Sequence, residues 1–181
     1  LAALLADLAA NATDASATVI QARFCEGDDG TIIAVRDNGA GMTEEALARA
    51  ADPFVTAAGK HPGRSVGLGL AFLRQTAEAT GGKWWLESEP ECGTDVGVQI
   101  PPGAVDAPPP GDLVETFVQI LTVQTDVQVV IERTTPAGSY TLDRRELAEA
   151  LEEEPGEMNR VGTLSLLRDF VAQQEESVWE R

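Results

Sequence analysis

Asp37 ends an apolar run, TIIAVRD, and is followed at once by Asn38-Gly39-Ala40-Gly41-Met42. A carboxylate held at the end of a buried strand is an acceptor suited to an exocyclic amino group such as that of adenine. Gly39 and Gly41 would let the backbone approach a base and ribose without side-chain interference. A plain surface turn also accounts for the Asn-Gly pair when this segment is taken alone. Further on, Gly67-Leu68-Gly69-Leu70 opens an apolar stretch, which offers backbone amides and the positive end of a helix dipole to phosphates. By itself it reads equally well as an ordinary helix start. Between the two glycine pairs runs a segment carrying Lys60, His61 and Arg64. Upstream, Asn11 supplies a neutral oxygen suited to magnesium, which keeps several waters and takes few protein ligands. Asp7 stands four residues earlier, and could hold or deprotonate a water aimed at a γ-phosphate. Taken singly, Asn11 is as well explained as a structural cap and Asp7 as a solvated side chain.

The elements that must position these groups follow from periodicity. Residues 1–17 place Leu1, Leu4, Leu5, Leu8 and Ala12 at helical spacing, so a buried amphipathic helix carries Asp7 and Asn11 on one face. Thr18–Phe24 alternates, EGDDG turns, and TIIAVRD returns, which predicts an antiparallel hairpin. Thr43–Ala51 reads as a short helix capped by Thr43 with acidic residues in its first turn. Pro53–Val66 lacks helical periodicity and reads as a mobile loop. Gly67–Ala79 is an apolar helix ended by Gly81-Gly82, and two strands follow, Lys83–Ser88 and Gly93–Ile100, joined by a turn at Pro90–Gly93.

PPGAVDAPPPG at 101–111 cannot continue a strand or helix. It divides the chain into a first domain at 1–101, a linker at 102–111 and a small acidic α+β extension at 112–181. In the extension, Leu113, Phe117, Ile120 and Leu121 have helical spacing, and Val127, Val129 and Ile131 alternate as a strand. Ser139–Leu142 returns as a second strand, Asp143 caps a helix running to about Leu151, and Thr163 begins a last helix with Leu164, Leu167, Val171 and Val178 on one face. Glu152-Glu153-Glu154 is read as a solvated helix end, in preference to a metal site.

The chain has 181 residues and a formal charge of −17, of which the part through Ala104 carries −7 and the rest −10. That charge repels nucleic-acid phosphates and anionic membrane surfaces, so no nucleic-acid partner is expected. No apolar run is long enough to span a bilayer, and no signal segment is visible, so the expected location is cytoplasmic. Cys25 and Cys92 have no paired metal-ligand spacing and read as two free thiols. The first residue is Leu1, not Met, which leaves open a missing N-terminal stretch or a larger parent chain.

In order, LADLAANATDA, DNGAGM, DPFVT, GLGL and ECGTDVGVQIP resemble the boxes of the GHKL superfamily of ATPases, which includes DNA gyrase, the heat-shock chaperone of that fold, mismatch-repair ATPases and histidine-kinase catalytic domains. The resemblance covers residues 1–101 and is nearest to histidine kinases from Pro53 onward. It implies a two-layer α/β sandwich, a mixed sheet with helices on one face, to which the C-terminal extension is added. It implies ATP and magnesium as cofactors, with magnesium on Asn11. The matching ATP-binding positions are Asn11, Asp37, Gly39, Gly41, Met42, Phe54, Lys60, Arg64, Gly67, Leu68, Gly69, Leu70 and Thr94, and the loop from Phe54 to Gly67 would be the ATP lid.

Three departures bear on activity. Asp7 occupies the position of the hydrolytic Glu of gyrase-like members and is one methylene shorter. No segment resembles a helix bearing a phosphoacceptor histidine, and residues 112–181 match neither group. The implied activity is therefore that of a histidine-kinase-like ATP-binding protein acting in trans on a partner, or a slow ATPase. The alternative is a non-catalytic ATP/ADP-sensing module that regulates a partner through lid and tail movement. The chain is also similar along its whole length to small stand-alone bacterial proteins often encoded beside iron hydrogenase and NADH-oxidising flavoprotein subunits, which implies such a complex as the protein partner.

Overall fold

The computed structural model describes residues 1–51, 68–122, 127–154 and 157–179. Helix α1 (Ala2–Asp14) is followed by the hairpin β1 (Val19–Gly27) and β2 (Gly30–Asp37), then α2 (Glu44–Ala51), α3 (Leu68–Thr80), β3 (Lys83–Glu89) and β4 (Gly93–Ile100). Past the proline-rich stretch come α4 (Leu113–Thr122), β5 (Gln128–Thr135), β6 (Gly138–Asp143), α5 (Arg144–Ala150) and α6 (Val161–Ser177). The strands form one six-stranded mixed sheet in the order β3-β4-β2-β1-β5-β6, antiparallel throughout except for the parallel pairing of β1 with β5. The fold is the α/β architecture that the sequence predicts.

Strand alternation decides which face is covered. Ile20, Ala22 and Phe24 on β1, Ile33 and Val35 on β2, Val96, Val98 and Ile100 on β4, and Val129 and Ile131 on β5 are all buried on one side. The helices meet that side: α1 packs on β1 and β2, α3 on β3 and β4, α4 on α1 and β5, and α6 on α4. Leu4, Leu5, Leu8 and Ala12 of α1, together with Phe117 and Leu121 of α4, fill the space between the layers. On the opposite side Trp85 lies across Gly97, where a Cβ would come within 2.3 Å of the indole, and its Nε1 donates to Asp95 at 2.6 Å.

The C-terminal elements join the first sheet. Gln128 through Thr134 of β5 pair in register with Val19 through Cys25 of β1, so residues after the proline-rich stretch extend the sheet beyond the β1–β2 hairpin. Arg133 anchors this junction at 1% exposure. It meets Glu26 of β1 at 2.6 Å and Glu175 of α6 at 3.0 Å, donates to the Thr134 carbonyl at 2.7 Å, and lies over the Phe24 ring. Tyr140 donates its hydroxyl to Glu175, and burial followed by that contact raises the phenol well above its ordinary value.

Some expected boundaries move. Helix α1 ends at Asp14 because Ser16 takes a left-handed conformation (φ 60°), three residues before the expected limit. Helix α6 starts at Val161, two residues ahead of Thr163, with Arg160 at its N-cap making no side-chain cap bond. Asp143 does cap α5, accepting from the backbone of Arg145 and Glu146. Cys25 and Cys92 are both free. Among the described residues no helix is long and apolar enough to cross a membrane.

Candidate functional site

A cleft of about 350 Å³ opens where the helix layer meets the ends of the central strands, which is within the range of small-ligand pockets. Helix α1 and its exit supply Leu8, Asn11, Ala12, Asp14 and Ala15. The end of β2 and the loop after it supply Asp37, Gly41 and Met42. Leu70 of α3, Ala50 of α2, and Leu86, Thr94 and Val96 of β3 and β4 complete the lining.

Asp37 is where the strand pattern and the chemistry coincide. Because side chains alternate, the last residue of β2 falls on the helix face, directly across from Thr94 of β4 and Ile20 of β1. It is 8% exposed, and its Oδ1 accepts from the Gly39 amide at 2.7 Å. Burial pushes its carboxyl above the usual aspartate value, while backbone hydrogen bonds from Gly39 and Thr94 work in the opposite direction. Thr94 in turn lies 2.9 Å from the Ser88 hydroxyl.

The glycines are required by close approach. A Cβ on Gly39 would sit 2.7 Å from the Ala15 carbonyl and 2.9 Å from Asp37 Oδ1. Gly41 has φ +63°, and a Cβ there would fall 1.9 Å from the Glu89 carbonyl. The loop between them is tied on both sides: the Ala40 amide donates to the Ala15 carbonyl at 2.9 Å, and the Ala40 carbonyl accepts from Glu91 at 2.8 Å. Gly69 brings the first turn of α3 against α1, where its Cβ would lie 3.3 Å from Asp7 Cβ and 3.6 Å from Asn11 Nδ2.

Of the residues singled out from the sequence, the cleft gathers Asn11, Asp37, Gly41, Met42, Leu70 and Thr94, with Gly39 packed beneath its floor. Gly69 touches the α1 face that carries Asp7 and Asn11, and Leu68 is the first residue of α3. Asp7 is exposed and stands beside Gly69, outside the lining. Phe54, Lys60, His61, Arg64 and Gly67, and with them the expected lid, lie outside the described residues.

Sequence reasoning missed Asp14 and Ala15, although they follow Asn11 by three and four residues and so share its side of the helix. It also missed Leu86 and Val96, which strand alternation would have placed beside Thr94. Asn38 gave no such signal, since Asn-Gly reads simply as a turn.

A buried strand-end carboxylate, a helix-borne Asn and the glycine of the following loop line one cleft at the end of a mixed sheet covered by helices. The chain belongs to the family described as histidine kinase-, DNA gyrase B-, and HSP90-like ATPases, which it matches over residues 1–104. Among curated proteins it is 32% identical over 110 residues to the signal transduction histidine-protein kinase AfsQ2 of Streptomyces coelicolor, covering 60% of this chain and 20% of that one. It is 34% identical over 105 residues to the C4-dicarboxylate transport sensor protein DctB of Pseudomonas aeruginosa, covering 55% and 17%. With the histidine protein kinase DivJ of Caulobacter vibrioides it shares 39% identity over 77 residues, covering 41% and 13%. The chain thus spans a fifth or less of these relatives' length.

Proposed function

We propose that the chain binds ATP with magnesium in the α1–β2 cleft, and acts on a protein partner in trans as a histidine-kinase-like domain or turns ATP over slowly by itself. The observation that carries this reading is Asp37: a carboxylate nearly withdrawn from water, bonded by the Gly39 amide, in the lining of a cleft of about 350 Å³. In it Asp37 accepts the adenine amino group, Gly39 and Gly41 admit the base and ribose, and Met42, Leu70 and Thr94 enclose them. Leu68 and Gly69 would offer amides to the phosphates at the start of α3, and Phe54, Lys60, Arg64 and Gly67 are assigned to the nucleotide by the resemblance alone.

The donor set fits magnesium delivered with the nucleotide. Asn11 offers one neutral oxygen, and among the described residues no group of three His, Cys, Asp or Glu side chains converges on a metal of its own. When bound, the ion would neutralise phosphate charge; the chain's residues would orient the nucleotide, and Asp7 would hold a water as base. Neither the fold nor the relatives lend support to a hydrogenase or NADH-oxidising flavoprotein as the partner. The sensing alternative is favoured by the continuity of the C-terminal strands with the sheet that carries Asp37.

Calorimetry with magnesium-ATP, followed by phosphate release from wild type and Asp7→Asn, tests both levels. Micromolar-range binding with turnover that drops in Asp7→Asn is expected. No detectable binding sinks the proposal; turnover unchanged in the variant removes Asp7 as base and leaves the binding claim standing.

A further inference from the structure

Asn38 is exposed, yet its side chain makes three hydrogen bonds to a segment about twenty residues away. Its Oδ1 accepts from the backbone amides of Thr18 at 2.9 Å and Val19 at 2.8 Å, and its Nδ2 donates to the Thr18 hydroxyl at 2.9 Å. The Asn38 amide itself reaches the Val19 carbonyl at 3.3 Å. The neighbouring residues are Asp37, which lines the cleft, and Gly39, which donates to the Asp37 carboxylate, and Thr18 follows the α1 exit that supplies Asp14 and Ala15. On its other side Thr18 offers its carbonyl to the Gln128 amide at 2.9 Å, the first residue of β5. Hydrogen bonds therefore run from the C-terminal strand through Thr18 to Asn38, whose chain neighbours are Asp37, the carboxylate of the cleft, and Gly39, which donates to it.

We infer that Asn38 is a positioning residue of the nucleotide site, a clip that fixes where Asp37 points and links that setting to strand β5. The inference rests on the ATP reading above and adds to it a route by which the C-terminal segment bears on base recognition. The physical reason is geometric. The glycine loop owes its place to few side-chain contacts, because Gly39 and Gly41 have none to give. Ala40 is held through its backbone alone, so Asn38 is the one residue of 38–41 whose side chain fastens the loop to α1–β1. A loosened loop moves the Asp37 carboxylate relative to a base, whereas the amides at the start of α3, on a separate helix, keep their places. Loss of the clip should thus weaken adenine recognition selectively and leave phosphate-driven binding largely intact.

The test compares the full chain as wild type, Asn38→Ala, Thr18→Val and Thr18→Ser, measuring Kd for magnesium-ATP and magnesium-GTP by calorimetry. Asn38→Ala is expected to weaken ATP about tenfold while GTP changes less than about twofold, so the preference for ATP falls by nearly the whole factor. Thr18→Val should move the same way by about threefold, and Thr18→Ser, which keeps the hydroxyl, should match wild type. Should Asn38→Ala fail to give a cooperative thermal transition, Thr18→Val against Thr18→Ser decides the matter alone. Unchanged ATP affinity, or equal losses for ATP and GTP, overturns the inference, the latter because it marks a clip that serves only stability. The link to β5 is read by hydrogen exchange: magnesium-ATP should slow exchange at the Gln128 amide in wild type and not in Asn38→Ala, and no slowing in wild type removes that link. A wild-type chain that binds neither nucleotide overturns the ATP reading and this inference with it, an outcome distinct from wild-type binding with an indifferent clip.

Discussion

Replacing Asp37 by Asn should change affinity and stability in opposite directions. The carboxylate is buried at 8% exposure, and burial raises its pKa above the ordinary 3.8. A carboxyl that holds its proton more tightly folded than unfolded contributes stability that is complete below the unfolded value and is lost as pH rises through the folded one. At neutral pH the ionised Asp37 is therefore a cost to the apo fold, offset in part by the Gly39 and Thr94 amides. Asp37→Asn removes that cost, keeps an oxygen for Gly39, and should leave apo stability unchanged or higher. For ATP the change is adverse: an ionised acceptor becomes an amide, and a hydrogen bond to a charged group is worth about 1.5–3 kcal/mol, or roughly 10- to 150-fold in Kd. Calorimetric titration of magnesium-ATP between about pH 4 and pH 8, with urea unfolding at the same pH values, measures both. Wild-type affinity should fall as pH drops through the raised Asp37 pKa, because protonation removes the charge that strengthens the acceptor. The variant lacks that component, and the titration of ATP's own phosphates cancels in the comparison. Parallel pH profiles for the two proteins, or wild-type affinity in Asp37→Asn, would refute the reasoning.

Gly41→Ala should lose about 2 kcal/mol or more in urea unfolding, since a left-handed backbone at φ +63° is combined with a Cβ only 1.9 Å from the Glu89 carbonyl; a loss below about 0.5 kcal/mol would show that the β3–β4 turn yields freely. Arg133→Met should cost about 3–5 kcal/mol, because Glu26 and Glu175 keep their charges in a site from which the guanidinium has gone. Stability within about 1 kcal/mol of wild type would mean that both glutamates reach water without it.

What could be read from the residues was whatever depends on local periodicity. The α1 stripe, the alternation that sets Asp37 on the helix face and the glycine pairs all follow from spacing, and the boxes between 1 and 104 fall to the matching family. What could not be read is what depends on pairing at a distance. Nothing in Gln128–Thr135 says which strand it joins: an alternating strand pairs as well with β6 alone as with β1 besides, and contacts distant in sequence, α4 on α1 and Arg133 on Glu26, accompany the second pairing. Arg133 shows the same limit, since an arginine in an alternating strand reads as solvent-facing until Glu26 and Glu175, over a hundred and some forty residues away, come together around it. Asn38 reads as a turn for the same reason.

Pairing with β5 also answers a problem that the first hundred residues pose. In the order β3-β4-β2-β1, strand β1 would be an edge, with those amides and carbonyls of Val19 through Cys25 that point away from β2 open to any passing strand. Covering it with β5 satisfies those groups and at the same time braces Thr18, the α1 exit and, through Asn38, the glycine loop. The groups assigned to holding the nucleotide are thus secured from two directions: Asp37 by Gly39 and the sheet, Asn11 by the contact of α1 with Gly69. Asp7, the group assigned to activating water, lies beside the same glycine through its Cβ, but its side chain stands exposed on α1. Precise placement of a water is what a general base needs most, so this arrangement favours holding ATP over hydrolysing it unless a partner completes the site.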